Sequence, residues 1–396
     1  MPRIGPFPGG MNNRAKDGAL PDGTARNIVN ADIDAQGKAK RRQGITKVSE
    51  GINCHSGFSC LAGSFFVEQG SLSKFTPTGT MHLISGIQGE VAYLWLNSTL
   101  YLTDGVKNWM VEDGVAKQWG MDVPAAPILG TTGGSLPPGR YLAAVSYVDA
   151  DGLESGASLA VDIQLSATRG IVFQGLSGKP TRLYLSTANG TEMYLAGETT
   201  GGHFSVTSNW YEGGNTLDLL QVSPPPPGRI LAAYAGRIYI ADANGFAWYS
   251  EPFGYSHFRL ADSFLLWPGP VTLMEPVNGG IFFATDQKTW FYAGTPEDGF
   301  QIIEKFDYGA IRGTSVRNKD GSVYWQSTRG MVIATPDGEA RNVQEANVAP
   351  GSATAGSAVI AERDGLRQFI TSLQQPTASP LAATSWIDAE IIRRGQ

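Results

Sequence analysis

The chain reads as all-β: a toroid of repeated hairpins interrupted by a β-sandwich. Three observations predict this. The composition is turn-dense, with 50 Gly and 23 Pro among 396 residues, 10% aromatic and only 17% charged. A helical chain would lean instead on Ala, Leu, Glu and Lys. A hairpin unit recurs along the sequence, and its copies are evenly spaced in the second half. The 42% hydrophobic content supports real cores, and the length suits two domains or one large toroidal fold.

The recurring unit is an apolar alternating strand, a Gly/Asp/Asn turn and an aromatic-rich strand. Copies begin at Leu61 (LAGSFFVEQGSLSKFTPTG), Leu94 (LWLNSTLYLTDGVKNWMVEDG), Ala232 (AAYAGRIYIADANGFAWYSEP), Glu275 (EPVNGGIFFATDQKTWFYAGTP) and Arg317 (RNKDGSVYWQSTRGMVIATPDG). A half-copy, AERDGLRQFITSL, begins at Ala361. The last three intervals are 43, 42 and 44 residues, the repeat length of four-stranded β-propeller blades. Period-2 stretches such as Arg237-Ile238-Tyr239-Ile240-Ala241 mark strands with one face inward. Asp104-Gly105, Asp113-Gly114, Asn244-Gly245, Asp320-Gly321 and Asp337-Gly338 supply the positive φ of tight hairpins. About six blades are expected, the last closed by pairing Arg26–Asp34 and Lys38–Arg42 with the terminal half-copy, which removes two exposed edges.

The interval between Leu94 and Ala232 is 138 residues, too long for one blade. Pro124 to Pro127 opens the excess and Pro224 to Pro227 closes it. Seven or so short strands between them have the size of an immunoglobulin-like or fibronectin-III-like sandwich. The expected organisation is an extended arm over 1–25, a discontinuous propeller over 26–124 and 228–375, a sandwich over 125–227, and a tail over 376–396.

The formal net charge of −6 argues against a bulk nucleic-acid binder. No apolar signal region or long apolar run occurs, so a soluble protein outside the Sec route is expected. Asn97-Ser98-Thr99 and Asn189-Gly190-Thr191 match the glycosylation sequon, a chance match without a signal peptide.

No nucleophile elbow, zinc motif or phosphate loop is present. His55, His82, His203 and His257 stand alone, and Cys54 and Cys60 have the wrong spacing for a zinc clamp. Asp286-Gln-Lys-Thr-Trp290 departs from the sialidase turn box by one position and occurs once. Asp32, Asp34, Gln36 and Gly37 match the opening of a calcium loop, but Gln43 stands where the bidentate Glu belongs, and Lys38 and Lys40 repel a cation. A hairpin turn explains the same residues. No catalytic residue, metal site or cofactor is expected. Lys38, Lys40, Arg41 and Arg42 form the one concentrated cationic stretch: a contact for DNA phosphates or an acidic partner, or a charged strand that discourages edge association.

Gly10-Met-Asn-Asn-Arg14, Ala19-Leu-Pro21, Ala25-Arg-Asn27, Asn30-Ala-Asp-Ile-Asp34 and Gly37-x3-Arg41-Arg42-x-Gly44 together resemble the N-terminal signature of β-propeller tail proteins of bacteriophages, among them the nozzle or tail-hub proteins of short-tailed phages. Tyr141-x3-Val145-x-Tyr147-Val-Asp-Ala-Asp-Gly-x-Glu154-Ser155 and Arg182-Leu-Tyr-Leu-Ser186 look like the sandwich module of such proteins, and Trp325-x2-Thr328-Arg-Gly330-x4-Thr335-x2-Gly338 fits a late blade. The resemblance implies a non-enzymatic virion protein, assembled in the host cytoplasm into the tail. On the order of six copies would ring the DNA-ejection channel. Its partners would be further copies, other tail or adaptor proteins, and DNA in transit without sequence-specific binding. Met11, Asn12, Asn13 and Arg14 are the expected assembly arm, lying against a neighbour. The competing readings are a tail adhesin stacking host sugars on residues such as Trp210 and Tyr211, and a propeller enzyme that degrades polysaccharide.

Overall fold

The computed structural model describes residues 5–16, 18–34, 36–42, 44, 51–208, 214–363 and 366–374. These residues form strands, turns and connecting loops, with no helix among them. Contacts divide the chain into two compact units, one drawn from Met1–Glu50 and Trp267–Gln396, the other Gly51–Leu266.

The chain enters through a two-stranded ribbon, β1 (Ala31–Ile33) and β2 (Ala39–Arg41), which belongs to the first unit. The second unit begins with β3 (His55–Cys60), β4 (Gly63–Glu68), β5 (Ser71–Thr76) and β6 (Gly79–Ser85), one antiparallel sheet in chain order. A second such sheet follows: β7 (Ala92–Leu96), β8 (Thr99–Thr103), β9 (Asn108–Glu112) and β10 (Val115–Gln118).

Seven strands then form two sheets. They are β11 (Ile128–Leu136), β12 (Gly139–Tyr147), β13 (Val161–Leu165), β14 (Arg169–Gln174), β15 (Thr181–Ser186), β16 (Met193–Thr199) and β17 (His203–Val206), ordered β11-β14-β17 and β13-β12-β15-β16. Leu136, Tyr141, Ala143, Val145, Ile171, Phe173, Leu183 and Leu185 fill one core between them. Alternate residues of β12 and β15 point inward, as the pleat dictates.

The unit ends with β18 (Ile230–Tyr234), β19 (Arg237–Ala241), β20 (Phe246–Glu251), β21 (Gly254–Phe258) and β22 (Phe264–Leu266), where both of the last two strands pair with β20.

The first unit resumes with β23 (Leu273–Val277), β24 (Gly280–Ala284), β25 (Thr289–Ala293) and β26 (Gln301–Phe306). Next come β27 (Val316–Arg317), β28 (Val323–Ser327), β29 (Gly330–Ala334) and β30 (Ala340–Asn342). Both are four-stranded meanders. A hairpin of two nine-residue strands, β31 (Ala355–Arg363) and β32 (Leu366–Gln374), completes the described chain.

The second strand of a meander is its most enclosed. β8, β19 and β24 are buried at all five positions. Leu100 and Leu102 of β8 join Phe65, Val67 and Leu72 on one side, while Tyr101 joins Trp119, Ile238 and Ile240 on the other. In β24, Phe282 packs against Trp325 at 5.6 Å between ring centroids, while Phe283 meets Trp267 at 4.3 Å. The sheets are therefore stacked face to face, and apolar residues on both faces of one strand each meet a neighbour. Short hydroxyls close the strand ends. Thr289 Oγ1 donates to the Tyr308 carbonyl at 2.9 Å, and Ser250 Oγ accepts the Ile238 N–H at 3.1 Å, so these two buried hydroxyls keep partners.

One turn recurs three times, as Asp34-Ala-Gln-Gly37, Asp149-Ala-Asp-Gly152 and Asp242-Ala-Asn-Gly245. In each, Asp Oδ1 accepts the N–H groups two and four residues on, at 2.8–2.9 Å. Each Gly sits at positive φ, +81°, +82° and +91°, where a Cβ is strained. The calcium-loop pattern at Asp32–Gly37 is one copy of this carboxylate-capped turn. Gln43 lies outside the described residues.

The expected closure of the last blade by the N-terminal strand is corrected. β1 and β2 form a ladder with each other, through Ala31↔Arg41, Asp32↔Lys40 and Ile33↔Ala39, and β31 and β32 likewise pair with each other. The capped turn at Asp34 brings the two segments together locally, and short loops close at lower entropic cost than distant pairings. The copy at Leu61 also lacked its first strand, β3, whose Gly and Ser residues carry no apolar alternation.

The double-sided packing of β24 sets an expectation. Phe282→Ala opens a cavity against Phe291 and Trp325 and should cost about 3–5 kcal/mol. Hydrogen exchange of the β24, β25 and β28 amides should accelerate accordingly, while β12 and β15 in the other unit stay protected.

Candidate functional site

The N-terminal lobe is built by short backbone bridges. Phe7 N–H donates to the Gly37 carbonyl at 2.6 Å, Gly9 N–H to the Gly23 carbonyl at 2.8 Å, and Met11 forms a parallel bridge with Ala25. Gly37 is required twice: its φ is positive, and a Cβ would stand 2.5 Å from the Pro8 nitrogen.

The expected assembly arm is docked on its own chain. Asn13 N–H donates to the Asn347 carbonyl at 3.0 Å, Asn13 Nδ2 to the Ala349 carbonyl at 3.0 Å, and the Ala349 N–H to Asn13 Oδ1 at 2.7 Å. Arg14 Nε donates to the Val348 carbonyl at 3.2 Å. Asn12 is buried, and its Oδ1 caps the Arg14 and Ala15 N–H groups. Met11, by contrast, serves the bridge to Ala25 within the lobe. The contact is a clasp made almost wholly with main-chain atoms of Asn347 to Ala349, which carry no sequence signal of their own.

Lys38, Lys40, Arg41 and Arg42 come together on the ribbon, all four exposed. Lys38, Lys40 and Arg42 alternate onto one face with Asp32, and Arg41 occupies the other. Arg42 Nε meets Asp32 Oδ1 at 3.0 Å, an exposed pair of small net value.

In the second unit, the seven-stranded module is seated on the sheets that flank it in sequence. Glu154, from the motif noted above, accepts from Tyr184 OH at 2.6 Å, from Arg182 Nη1 at 2.7 Å and from Ser146 Oγ. Arg182 Nε reaches Glu198 at 2.7 Å. Hydrogen bonds to Glu198 and Glu154 hold the Arg182 guanidinium further into its charged form. Ser155 and Ser158 accept the Tyr147 and Val145 N–H groups, folding this return segment onto β12.

Long-range partners then lock it. His257 Nε2 lies 2.7 Å from the Glu154 carbonyl, and Arg259 donates to the Leu220 and Asp218 carbonyls at 2.7 and 2.9 Å while Glu251 holds its Nε at 2.6 Å. Lys117 bridges Glu112 at 2.8 Å and Asp151 at 3.0 Å. A Cβ on Gly156 would lie 1.9 Å from the Val222 carbonyl oxygen. The proline segment docks as well: Pro225 and Pro226 are buried, and Asn108 Nδ2 donates to the Pro225 carbonyl at 2.7 Å. Residues that mark a boundary in the sequence are here a mortised joint.

The remaining candidates are dispersed. His55 bonds Ser56, His82 bonds Ser73, and His203 is exposed on β17. Cys54 and Cys60 are free thiols. Trp210 and Tyr211 lie outside the described residues. Among the described residues, no group of three or more His, Cys, Asp or Glu side chains is placed to hold a metal, and no helix is long and apolar enough to cross a membrane.

Two expectations follow from this geometry. Asn13→Ala removes one acceptor and one donor of the clasp, so the Ala349 amide should lose hydrogen-exchange protection, with about 1–2 kcal/mol of local opening energy lost. In the second unit, burial pushes the Tyr101 phenol up to about 12 and raises Tyr93 and Tyr184 as well, Tyr184 also through its bond to Glu154. A phenol raised in the folded state contributes stability that is complete below its unfolded value near 10 and is lost as pH climbs through the folded value. The melting temperature of this unit should therefore fall between pH 10 and about 12, and Tyr101→Phe should make that fall shallower.

No protein-family model matches the chain. No curated protein matches it either. Solved structures do. A streptogramin B lyase structure is 12% identical, with 79% of this chain and 91% of that one covered, at a TM-score of 0.35. The Neurospora crassa Pan2 WD40 domain is 11% identical over 74% of this chain and 86% of that one, at 0.28. Apo AztD from Citrobacter koseri is 12% identical over 74% and 85%, at 0.27. The described residues are all-β, and these distant likenesses say nothing of what the chain does.

Proposed function

We propose that this chain is a structural subunit of the tail nozzle or hub of a short-tailed bacteriophage, with on the order of six copies ringing the DNA-ejection channel. In this reading the four- and five-stranded sheets outside the seven-stranded module, with β31–β32 as the start of another, are blades of an approximately six-bladed propeller. The seven-stranded module is a sandwich inserted between the second and third blades. The role is assembly rather than turnover. Its place is the virion tail, built in the host cytoplasm.

The observation that carries this reading is the way both appendages are fastened. The signature residues Asn12, Asn13 and Arg14 clasp the lobe to Asn347–Ala349, and the signature residue Glu154 sits in the joint with His257. Residues that carry the resemblance are thus spent on orienting modules. A ring subunit needs this, because a docking face that swings on a linker loses the preorganisation that makes contact with a neighbour favourable. Net negative charge also suits a conduit, since each neutralised phosphate would add grip and slow the passage of DNA.

Immunogold electron microscopy tests the proposal, using antibody to residues 127–224 on particles from the source culture. Gold confined to the tail end is expected. Unlabelled particles, with the epitope accessible on the isolated protein, would overturn the tail reading in favour of an enzyme acting on polysaccharide.

A further inference from the structure

The charge of the chain is unevenly placed. Residues 1–44 carry a net +4 within a chain of net −6. Four of those cations lie on the β1–β2 ribbon within five residues, and β2 is exposed along its whole length. A charged strand that merely guards an edge needs no fixed geometry. This one has it. The Asp34 carboxylate caps the turn, Phe7 N–H holds the Gly37 carbonyl, and Arg42 N–H holds the Asn30 carbonyl at 3.0 Å.

We infer that the ribbon is a sequence-independent contact for the phosphate backbone of duplex DNA, made by Lys38, Lys40 and Arg42 on one face with Arg41 on the other. Same-face residues of a strand recur about every 6.8 Å, a spacing that lets successive cations follow successive phosphates of one DNA strand. A two-stranded ribbon also has the width that a DNA groove accepts.

The flanking residues decide between DNA and an acidic protein. Ala31, Ile33 and Ala39 are small or aliphatic, with no aromatic anchor of the kind that carries protein interfaces. What remains is charge at a fixed spacing, the recipe for weak, salt-sensitive, non-specific binding. Exchange of Arg42 from exposed Asp32 to a phosphate costs little.

The inference rests on the tail-ring reading for its biological ligand, and the experiment separates the two. Fluorescence anisotropy of a labelled random-sequence duplex of about 24 base pairs, titrated with the full chain across a salt series, should give a log–log slope of about −3. Lys38→Gln/Lys40→Gln/Arg42→Gln should reduce the slope to about −1 or less and weaken binding at low salt about tenfold or more. Arg229→Gln/Lys319→Gln, at exposed cations elsewhere, should leave the slope unchanged. An unaltered slope in the triple variant, or no binding by the wild type at low salt, overturns the contact.

Light scattering on the same proteins reports assembly. A triple variant that loses self-association but keeps its DNA slope makes the ribbon a protein contact and overturns the inference while the ring reading stands. A wild type that stays monomeric while its DNA binding depends on the ribbon supports the contact and counts against the ring.

Discussion

Strands buried on both faces govern this molecule. β8, β19 and β24 present apolar side chains in two directions, so their sheets satisfy them only by stacking. A single four-stranded meander would leave one of those faces in water. At about 25 cal/mol per Å² of apolar surface, the aromatic and aliphatic residues on that face would forfeit several kcal/mol per strand. Everything else is arranged around this requirement. Carboxylates cap the turns that leave enclosed strands, at Asp104 after β8 and Asp242 after β19, and hydroxyls close neighbouring strands, as at Thr289 and Ser250. Added modules have to attach at connections between sheets.

The carboxylate-capped turn shows how local chemistry serves that plan. The same Asp-Ala-x-Gly cassette closes the β1–β2 ribbon, the return after β12 and the β19–β20 hairpin. Each Asp supplies an acceptor that two otherwise orphaned N–H groups need, and each Gly supplies the left-handed residue. Two acidic residues alternating ahead of a Gly resemble a calcium loop because both motifs solve the same problem of a tight polar turn. In the ribbon the carboxylate of Asp34 is taken by backbone and that of Asp32 by Arg42.

Legibility in the sequence followed burial. Second and third strands stood out because enclosed or half-enclosed strands must be apolar and aromatic, as in GIFFA and TWFYA. First and fourth strands did not. β3 is HSGFSC, β27 has two residues, and the outer strand β26 reads QIIEKF with its exposed positions mixed. The modules' fastenings were visible from one side only. The Asn-Asn-Arg and Glu-Ser motifs stood out as composition, whereas their partners at Asn347–Ala349 and His257 lie between 103 and 336 residues away and contribute main-chain atoms or single side chains. Long-range pairing of that kind leaves no local pattern. The N-terminal strand was assigned to a distant blade for the same reason: nothing local distinguishes a strand awaiting a remote partner from one that folds back on its neighbour.

The two fastenings differ in kind, and the difference bears on what each module does. The joint of the seven-stranded module combines a half-buried carboxylate, a guanidinium clamp and backbone contact too close for a Cβ at Gly156. Breaking it would strand charged groups, so it behaves as part of the core. The N-terminal clasp uses the Asn13 amide and the Arg14 guanidinium against largely exposed main chain, where water competes for every bond and each is worth about 1 kcal/mol. Such a contact sets the direction of the cationic ribbon without fixing it irrevocably. If the ribbon grips DNA as we propose, a weak clasp beneath a weak, charge-based grip keeps the two energies comparable, so a passing polyanion can displace the ribbon instead of being held by it. On that proposal, a clasp as strong as the joint of the seven-stranded module would leave the DNA to do all the yielding.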